Sequence, residues 1–408
     1  MPTLLAINNY HYRRDGSEAI YFDHTRLFEN AGWNVVPFSM QHPENLPSPW
    51  SDHFVSEVEF GRPYSLWEKL SRAPKVIYSL EARKKLRRLL DLVRPSVCHC
   101  HSIYHHISPS ILSLLKARGV PVVMTLHDLK LACPAYHMFN RGEICERCKG
   151  GRLHAAFMGR CIKGSLALSA VVTLEAGLHT ALKSYQRNVE RFVVPCRYYL
   201  EKLVEWGWDR DRFIHIPNFV DATRYQPRYR PGASFLYFGR LSPEKGLSTL
   251  IRAARKADIA VRIAGHGPQL QELQALSHAI GAQVTFLGHL SGEALHDAVR
   301  SARATVLAAV WYENAPISML ESYALGKPVI GTALGGIPEL VVEGRTGVTV
   351  ASGSVDALAS ALRRLADAPD ARVEEMGREG RALVEVNFSP GRYYRAMADL
   401  YGDLAAAA

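Results

Sequence analysis

Two glutamates, one ahead of a predicted helix and one within it, have the types and spacing to flank a bound anion. Glu313 lies in the loop after an apolar strand pattern, and Glu321 lies eight positions later inside the helix pattern. Pro316 suits the first helical turn, and Gly326 suits the position just past the helix end. The free backbone N–H groups of the first turn attract an anion. The segment therefore predicts an anion site between two carboxylates, with a routine helix carrying surface glutamates as the alternative.

A second loop carries the positive charge that such an anion needs. The segment FGRLSPEKG places Arg240 directly after another apolar strand pattern and Lys245 five residues later. An arginine fork and a lysine point charge near a helix start are suited to a pyrophosphate. Gly265 follows the next strand in AGHGP, where the backbone must turn tightly or approach a ligand, and Leu287 lies in VTFLGHL. A solvated loop with two ordinary surface cations is the alternative interpretation.

In this order, FGRLSPEKG, AGHGP, VTFLGHL and the two glutamates resemble the retaining family-four glycosyltransferases of the GT-B type, also described as glycosyl transferases group 1. The resemblance covers residues 216–350 and extends more loosely to the first half of the chain. It implies that Arg240 and Lys245 hold the diphosphate of a nucleotide-sugar donor. It also implies that Glu313 contacts the transferred sugar and that Glu321 binds the ribose hydroxyls.

The same resemblance defines the full predicted site. Many family members have Pro-Phe-Gly after the first glutamate, whereas this chain has Asn314, Ala315 and Pro316. Because this difference lies beside the sugar, the identity of the donor stays open. The predicted donor-binding residues are Gly16, Arg240, Lys245, Gly265, Leu287, Ala315, Pro316, Ile317, Ser318 and Glu321, and the predicted catalytic residues are His127, Arg240, Lys245 and Glu313.

The N-terminal half is expected to supply the acceptor side of the site. Gly16 resembles the family's glycine-containing loop that approaches the donor from the opposite domain, and Ser17 is predicted to cap the helix that follows. His127 ends the strand segment MTLHD at the position of the family's active-site histidine, with a structural hydrogen-bonding role as the alternative. Strand alternation puts His99 and His101 on one face. Acceptor binding, metal binding and packing remain open for these two residues.

Four of the seven cysteines lie within residues 131–164, which we predict to be an insert. Cys145 and Cys148 form a C-x-x-C pair, flanked by Cys133 and Cys161. Four thiols with such a pair and a glycine-rich turn can bind Zn²⁺ tetrahedrally. This structural zinc would staple the insert over the acceptor cleft. A disulfide pair and a redox-inert loop are the other two interpretations.

The elements that must position these residues alternate between strand and helix patterns along the chain. Continuous apolar strands separated by helices predict parallel sheets covered on both faces. We predict an α/β fold of the GT-B type, in which two Rossmann-like domains face each other across a cleft. The first, acceptor-binding domain covers residues 1–214. The second, nucleotide-sugar-binding domain covers residues 215–386 and begins with the strand FIHIPN, and an aromatic helix in residues 387–408 returns to the first domain.

Composition and charge limit the partners. The net charge is +10, but no nucleic-acid-binding signature is present, so no nucleic acid partner is expected. No apolar stretch approaches the ~20 residues that span a bilayer, and an odd number of cysteines without a secretion signal favours the cytoplasm. The segment EARKKLRRLLDLVR, from Glu81, has six basic residues and an apolar face. It predicts either peripheral contact with the anionic inner membrane face or a solvated helix packed on the core.

These observations together predict a retaining glycosyltransferase. It would move a sugar from a nucleoside-diphosphate sugar to a hydroxyl of a saccharide, lipid-linked or small-molecule acceptor, in the synthesis of cell-surface polysaccharide, glycolipid or a glycosylated metabolite. Fixed cations can stabilise a leaving diphosphate, so no catalytic metal is expected. A GT-B-fold sugar-nucleotide epimerase and a non-enzymatic, basic, zinc-stapled binding protein are the alternatives.

Overall fold

Two six-stranded parallel sheets form the body of the molecule. The computed structural model describes residues 1–57 and 73–407. The first sheet contains β1 Thr3–Ile7, β2 Asn34–Phe38, β3 Val97–Cys100, β4 Val122–Thr125, β7 Arg191–Val194 and β8 Phe213–His215. The second contains β9 Phe235–Phe238, β10 Val261–Ala264, β11 Val284–Gly288, β12 Thr305–Leu307, β13 Val329–Thr332 and β14 Gly347–Val350. A short antiparallel hairpin, β5 Phe139–Asn140 and β6 Glu143–Ile144, lies within the predicted insert.

Helices connect the strands of both sheets. Before β8 these are α1 Gly16–Asn30, α2 Leu80–Leu92, α3 Leu112–Ala117, α4 His154–Met158, α5 Leu166–Ala181, α6 Ser184–Asn188 and α7 Arg197–Glu205. After it come α8 Leu247–Ala257, α9 Leu270–Ile280, α10 Gly292–Arg300, α11 Ile317–Ala324, α12 Ile337–Leu340, α13 Val355–Asp367, α14 Asp370–Asn387 and α15 Pro390–Ala407. The strand–helix alternation predicted from the sequence is confirmed.

The order of the strands explains where a ligand can bind. The first sheet runs β2-β1-β3-β4-β7-β8 and the second runs β11-β10-β9-β12-β13-β14, with every pair parallel. In the second sheet the chain reverses its direction of travel between β9 and β12. In open α/β sheets ligands bind outside the carboxyl ends of the strands at such a switch point. The loops after β9 and β12 therefore lie where a ligand is expected to bind.

The strand FIHIPN lies in a different sheet from the one predicted. Phe213–His215 forms β8 and pairs with β7 at the edge of the first sheet, whereas we expected it to begin the second domain. Phe213 packs against Phe192 and Trp208, with ring centroids 5.5 Å and 6.4 Å away. A local apolar pattern specifies a strand but not its sheet, and here the aromatic contacts decide. The residue limits of the domains otherwise stay a prediction.

The C-terminal helix α15 packs on the first domain, as predicted. Tyr393, Met397, Leu400 and Tyr401 are buried in one cluster with Leu4, Tyr21 and Phe28 of β1 and α1. The Tyr393 hydroxyl also lies 3.0 Å from Nδ1 of His24. The aromatic stripe that the sequence places on one face of this helix is therefore the face that covers the first sheet.

Two details of the first domain bear on the predictions. The cap of α1 is Asp15, whose N–H donates to the Glu18 carboxylate at 3.2 Å, so the predicted Ser17 cap is wrong. The cap lies two residues earlier than predicted because the Glu18 carboxylate completes a capping box with Asp15. Helix α2 buries its apolar face, which leaves Lys84, Arg87 and Arg88 exposed. Among the described residues, no helix combines the length and apolar character needed to cross a membrane.

Candidate active site

The loops after β9 and β12 meet in one buried ion pair. Nζ of Lys245 lies 2.5 Å from Oε1 of Glu313, and the two side chains are 17% and 8% exposed. The Lys245 ammonium also lies 5.1 Å from the centroid of the Trp311 ring. Since the two residues are 68 positions apart, the fold brings together a cation and a carboxylate that the sequence identified separately. This contact is at the switch point of the second sheet.

Backbone packing at three glycines sets this geometry. A Cβ on Gly246 would lie 2.0 Å from the Ala308 carbonyl oxygen, and one on Gly335 would lie 2.3 Å from that of Glu313. Both residues also have positive φ, which side chains rarely adopt. The N–H of Gly336 donates to the Glu313 carbonyl at 2.8 Å. The loop that carries Glu313 is thus held against the glycines that follow β13.

Arg240 reaches the same loop but contacts a different carboxylate. Its side chain is 44% exposed and donates to Oε1 of Glu244 at 2.9 Å. The N–H of Val310 donates to the Glu244 carbonyl at 2.9 Å, which ties this loop to the end of β12. Arg240 is therefore the more exposed of the two predicted cations, at 44% against 17% for Lys245.

Helix α11 begins beside this pair, as predicted. Gly326 follows its last turn with φ +79°, as predicted, whereas Pro316 is the N-cap residue just before the helix and not part of its first turn. The first-turn amides of Ile317 and Ser318 precede the i→i−4 ladder and have no helical partner. The Ala315 carbonyl accepts from the Asn218 side chain at 3.0 Å. The backbone donors and Glu313 thus lie on one short stretch of chain.

Glu321 lies one turn into α11, in an environment that holds its proton. Burial raises the pKa of its carboxyl to about 7, and the nearby Asp23 of the first domain adds to the shift. The Tyr225 hydroxyl donates to Oε1 of Glu321 at 3.2 Å. A carboxyl tuned this far is unusual for a surface glutamate, and perturbed carboxyls of this kind concentrate at functional sites.

Two segments of the first domain face this region. An ideal Cβ on Gly16 would lie 3.9 Å from Cγ1 of Ile317, so the loop before α1 reaches the start of α11. The Asn314 side chain donates to the Leu126 carbonyl at 2.9 Å, directly before His127. The structure therefore brings Gly16 to the start of α11 and the segment after β4, which carries His127, to the Glu313 loop.

His127 is held by a second histidine. Its Nε2 lies 2.9 Å from Nδ1 of His101, and the two rings stack with centroids 5.2 Å apart. Burial lowers the pKa of His127 to about 4, so the imidazole is neutral at pH 7. His99 bonds instead to Tyr401 and Thr125, and His24 lies against both α15 tyrosines. The packing interpretation therefore fits His99, while His101 contacts a predicted site residue.

The loops after β10 and β11 support the β9 loop. A Cβ on Gly265 would lie 1.9 Å from the Gly239 carbonyl oxygen, so only glycine allows this approach. The Gly265 N–H donates to the Gly288 carbonyl at 2.6 Å. Leu287 is half-buried in a cluster with Leu236 and Ala264. Gly265 thus packs against Gly239, the residue before Arg240, and Leu287 packs on β9 and β10.

The predicted insert also contacts the Glu313 loop. The Tyr312 hydroxyl donates to Oε1 of Glu146 at 2.9 Å, and Nζ of Lys202 lies 2.9 Å from the same carboxylate. The His137 ring lies 5.5 Å from the Trp311 ring, centroid to centroid. Sequence reasoning identified none of Glu146, His137 and Trp311 as site residues. Glu146 and His137 lie in an irregular insert and Trp311 lies in a loop, where no periodicity shows which side chains point to a site.

The four insert cysteines are free thiols near one another. Burial raises the pKa of Cys148 to about 12, and the charges of Cys133, Cys161 and Cys145 add to the shift. In the part of the chain that the structure describes, three histidines (His24, His99 and His101) have ligand atoms within 4.8 Å of one another, and the four sulfurs are spaced more widely. The sulfur-rich donor set suits zinc, and the zinc site stays a prediction.

A separate cavity of about 420 Å³ lies between the two sheets' terminal segments. Arg197, His215, Glu339 and Arg392 are among the residues that line it, and none of the predicted site residues does. The Glu339 carboxylate accepts from the N–H groups of Arg197 and Tyr198 at 2.8 Å and 2.7 Å. It thereby caps α7 from the other domain. We assign the chemistry to the switch point rather than to this cavity.

Two family models match the sequence. The one described as Glycosyltransferase Family 4 matches residues 14–224, just over half of the chain, and the one described as Glycosyl transferases group 1 matches residues 226–383. The chain belongs to glycosyltransferase family 4. The family predicted from the motifs is confirmed, and the two matches divide this family 4 chain between its two sheets.

Curated relatives of the family 4 chain include glycosyltransferases of several kinds. A glycogen synthase of Mycobacterium tuberculosis is 34% identical over 198 residues, which are 46% of this chain and 47% of the relative. A GDP-mannose-dependent alpha-(1-6)-phosphatidylinositol monomannoside mannosyltransferase of Mycolicibacterium smegmatis is 35% identical over 265 residues, 59% of this chain and 67% of the relative. An alpha-D-kanosaminyltransferase of Streptomyces kanamyceticus is 30% identical over 196 residues, 45% and 50%. The chain spans about half the length of the first of these relatives.

Solved structures share the fold over the whole family 4 chain. A sucrose-phosphate synthase from Thermosynechococcus elongatus superposes with a TM-score of 0.72 at 20% identity and covers 100% of both chains. Anabaena HepE, in complex with UDP and glucose, gives 0.69 at 14% identity and covers 99% of this chain and 100% of its own. At these identities the comparison establishes the GT-B fold, and the predicted fold class is confirmed.

Proposed function

We propose that this chain is a retaining glycosyltransferase that moves a sugar from a nucleoside-diphosphate sugar to an acceptor hydroxyl. The observation that carries the proposal is the Lys245–Glu313 contact at the switch point of the second sheet. The first-turn backbone amides of α11, which have no helical partner, and the exposed Arg240 lie on the same two loops. This arrangement suits a ligand that joins a diphosphate to a polar sugar.

The reaction follows from these groups. The bond between the anomeric carbon and the diphosphate oxygen breaks, and the diphosphate leaves with the electron pair. Lys245, Arg240 and the first-turn amides of α11 stabilise the added charge, which is the main catalytic contribution of such a site. The acceptor oxygen bonds to the same face of the sugar, and its proton passes to the departing phosphate. Configuration at the anomeric carbon is retained without a covalent intermediate.

Each remaining residue has a proposed role in this reaction. Glu313 accepts hydrogen bonds from the transferred sugar, and Glu321 accepts them from the ribose. Gly16 lets the α1 loop approach the donor, and neutral His127 faces the sugar from the acceptor domain. Because fixed cations hold the phosphates, we expect EDTA to leave the rate unchanged.

The acceptor is proposed as a class only. The relatives include a polysaccharide synthase, a lipid mannosyltransferase and a kanosaminyltransferase. A saccharide, a lipid-linked sugar and a small metabolite are therefore all consistent with family 4. We propose cytoplasmic action, with the exposed basic face of α2 in contact with anionic membranes. Flotation with phosphatidylglycerol vesicles should fall when Lys84, Arg87 and Arg88 are changed to Glu.

The deciding experiment combines a donor screen with two variants. Nucleoside diphosphates should raise the melting temperature of the wild-type chain, because a ligand that binds the native state stabilises it. Glu313→Gln and Lys245→Met should each lower transfer from the best donor by at least about 100-fold. Lys245→Met leaves a buried carboxylate unpaired, so circular dichroism must confirm its fold.

Lys256→Ala is the matched control, since this exposed lysine lies at the other end of α8 and pairs with Asp356. It should keep wild-type activity. Wild-type turnover in both the Glu313 and Lys245 variants would contradict the assignment. An epimerase would instead convert the donor without an acceptor, and a binding protein would bind polyanions while ignoring nucleotide sugars.

A further inference from the structure

The insert places one histidine beside the proposed diphosphate site. The His137 imidazole contacts the Trp311 ring, with centroids 5.5 Å apart and planes inclined by 46°. The Lys245 ammonium lies 5.1 Å from the centroid of the same ring. An aromatic side chain of the second domain is thus shared by a lysine of its own domain and a histidine of the first domain. His137 is therefore near the phosphate cations although it is about 100 positions away in sequence.

The backbone around His137 is held in an uncommon conformation. Tyr136 and Met138, on either side of it, have φ of +56° and +47°, a region that non-glycine residues rarely adopt. Hydrogen bonds fix both ends: the Tyr136 N–H donates to Cys133 at 2.8 Å, and the Cys145 N–H donates to Met138 at 2.8 Å. Strained backbone of this kind persists where the surrounding structure fixes it, and it concentrates at ligand sites. Two of the insert cysteines thus supply the backbone contacts that aim His137.

The charges around His137 belong to the proposed phosphate loop. Burial lowers the pKa of this imidazole to about 4, Glu244 opposes the shift, and Arg240 and Lys245 extend it. The ring is therefore neutral at pH 7 and lies within the electrostatic reach of both cations. A diphosphate bound between these cations would reverse the local charge. A histidine in that position would then be a favourable hydrogen-bond donor.

A neighbouring donor also lacks a protein partner. Nε1 of Trp311 is buried and donates to no acceptor among residues 1–57 and 73–407. Buried donors are costly to leave unpaired. An oxygen-rich ligand seated beside His137 and Lys245 would provide the acceptor.

We propose that His137 binds the donor diphosphate from the N-terminal domain, so that the phosphates are held from both sides of the cleft. Arg240 and Lys245 grip them from the second domain, and the insert presents His137 opposite. This inference rests on the proposed function, because it assigns a further residue to the same nucleotide site. It also gives the insert a purpose beyond covering the cleft.

The test separates phosphate contact from structural support. Calorimetric titration of the full chain would use the nucleoside diphosphate that stabilises it most, together with the corresponding nucleoside. His137→Ala should weaken the diphosphate by about 10- to 100-fold, the value of a hydrogen bond to a charged group, and leave nucleoside affinity unchanged. His137→Gln, which keeps an N–H donor, should recover part of the loss. His154→Ala, an exposed histidine in the same insert, should bind both ligands as the wild type does.

The outcomes distinguish this inference from the proposed function. If the wild-type chain binds no nucleoside diphosphate, the proposed function fails and His137 has no ligand to bind. If the wild type binds and His137→Ala binds equally well, the inference alone is wrong. Equal loss of both ligands with a lower melting temperature would show a structural role and would also overturn it.

Discussion

Burial, more than neighbouring charge, sets the protonation state of individual groups in this site. Glu321 and His127 are moved in opposite directions from their ordinary values: the pKa of the carboxyl rises to about 7 and that of the imidazole falls to about 4, both chiefly through burial. At neutral pH the imidazole is uncharged and the carboxyl is partly protonated. Each group can therefore form a hydrogen bond to an incoming ligand. A charged ligand would in turn shift the pKa of the group and so change its protonation state.

Glu321→Gln should reveal how much the buried, ionised carboxylate destabilises the fold. A raised pKa means that the ionised carboxylate is disfavoured in the fold. The destabilisation is full above pH 7 and absent below the unfolded pKa of about 4.5. After allowance for partial exposure, the variant should gain roughly 1–2 kcal/mol at pH 8 and nothing at pH 4.5. Thermal unfolding at the two pH values measures this.

The same variant should bind the nucleoside less tightly, because an amide replaces the carboxylate that we propose accepts the ribose hydroxyls. Glu375→Gln, at an exposed position of α14, is the control for a general charge effect. Equal stability of Glu321→Gln and the wild type at pH 8 would show that the carboxyl is not strained.

At the scale of elements, the insert links the first domain to the Glu313 loop. Glu146 of its C-x-x-C segment contacts Tyr312 of the second domain, and His137, just before its hairpin, contacts Trp311. The insert has little regular structure of its own. Its position must therefore depend on nearby side-chain contacts, such as the buried ion pair of Lys130 and Glu175 at 2.6 Å, and on the cysteines.

We expect one zinc ion per chain in protein purified under reducing conditions. Cys148→Ser should lose the metal, because a structural zinc site needs all four of its ligands. The variant should also melt at a lower temperature, since metal binding contributes folding free energy. Mass spectrometry of bound metals measures the stoichiometry. Cys196→Ser, outside the insert, is the control and should retain zinc. If the reduced wild-type protein contains no zinc, the prediction of a zinc site is wrong.

At the scale of the whole molecule, the two ends of the chain stabilise one domain together. Helix α15 follows the second domain in sequence but buries its aromatic face against β1 and α1. The Tyr401 hydroxyl bonds to His99 and lies 3.2 Å from Nε2 of His24. The C-terminal segment is therefore part of the first domain's core, and the chain crosses between domains twice.

Tyr401→Phe should destabilise the molecule by about 1–3 kcal/mol, because two buried histidine nitrogens lose their partner while the apolar contact is kept. Denaturant unfolding measures the change. Tyr394→Phe alters a half-buried tyrosine on the same helix, and its effect should be within about 0.5 kcal/mol. Equal effects of the two variants would show that the Tyr401 hydroxyl contributes nothing.

The sequence by itself determined the elements, the fold class and the candidates for the donor site. These features are local, because each depends on residues close together along the chain. They are the apolar strand patterns, the glycine at a helix end (Gly326) and the motifs that contain Arg240, Lys245, Glu313 and Glu321. Tertiary structure alone decided which candidates meet. It paired Lys245 with Glu313, gave Arg240 to Glu244, moved FIHIPN into the first sheet and brought His137 to Trp311. These outcomes depend on strand order and packing between residues far apart in sequence, which no local pattern encodes.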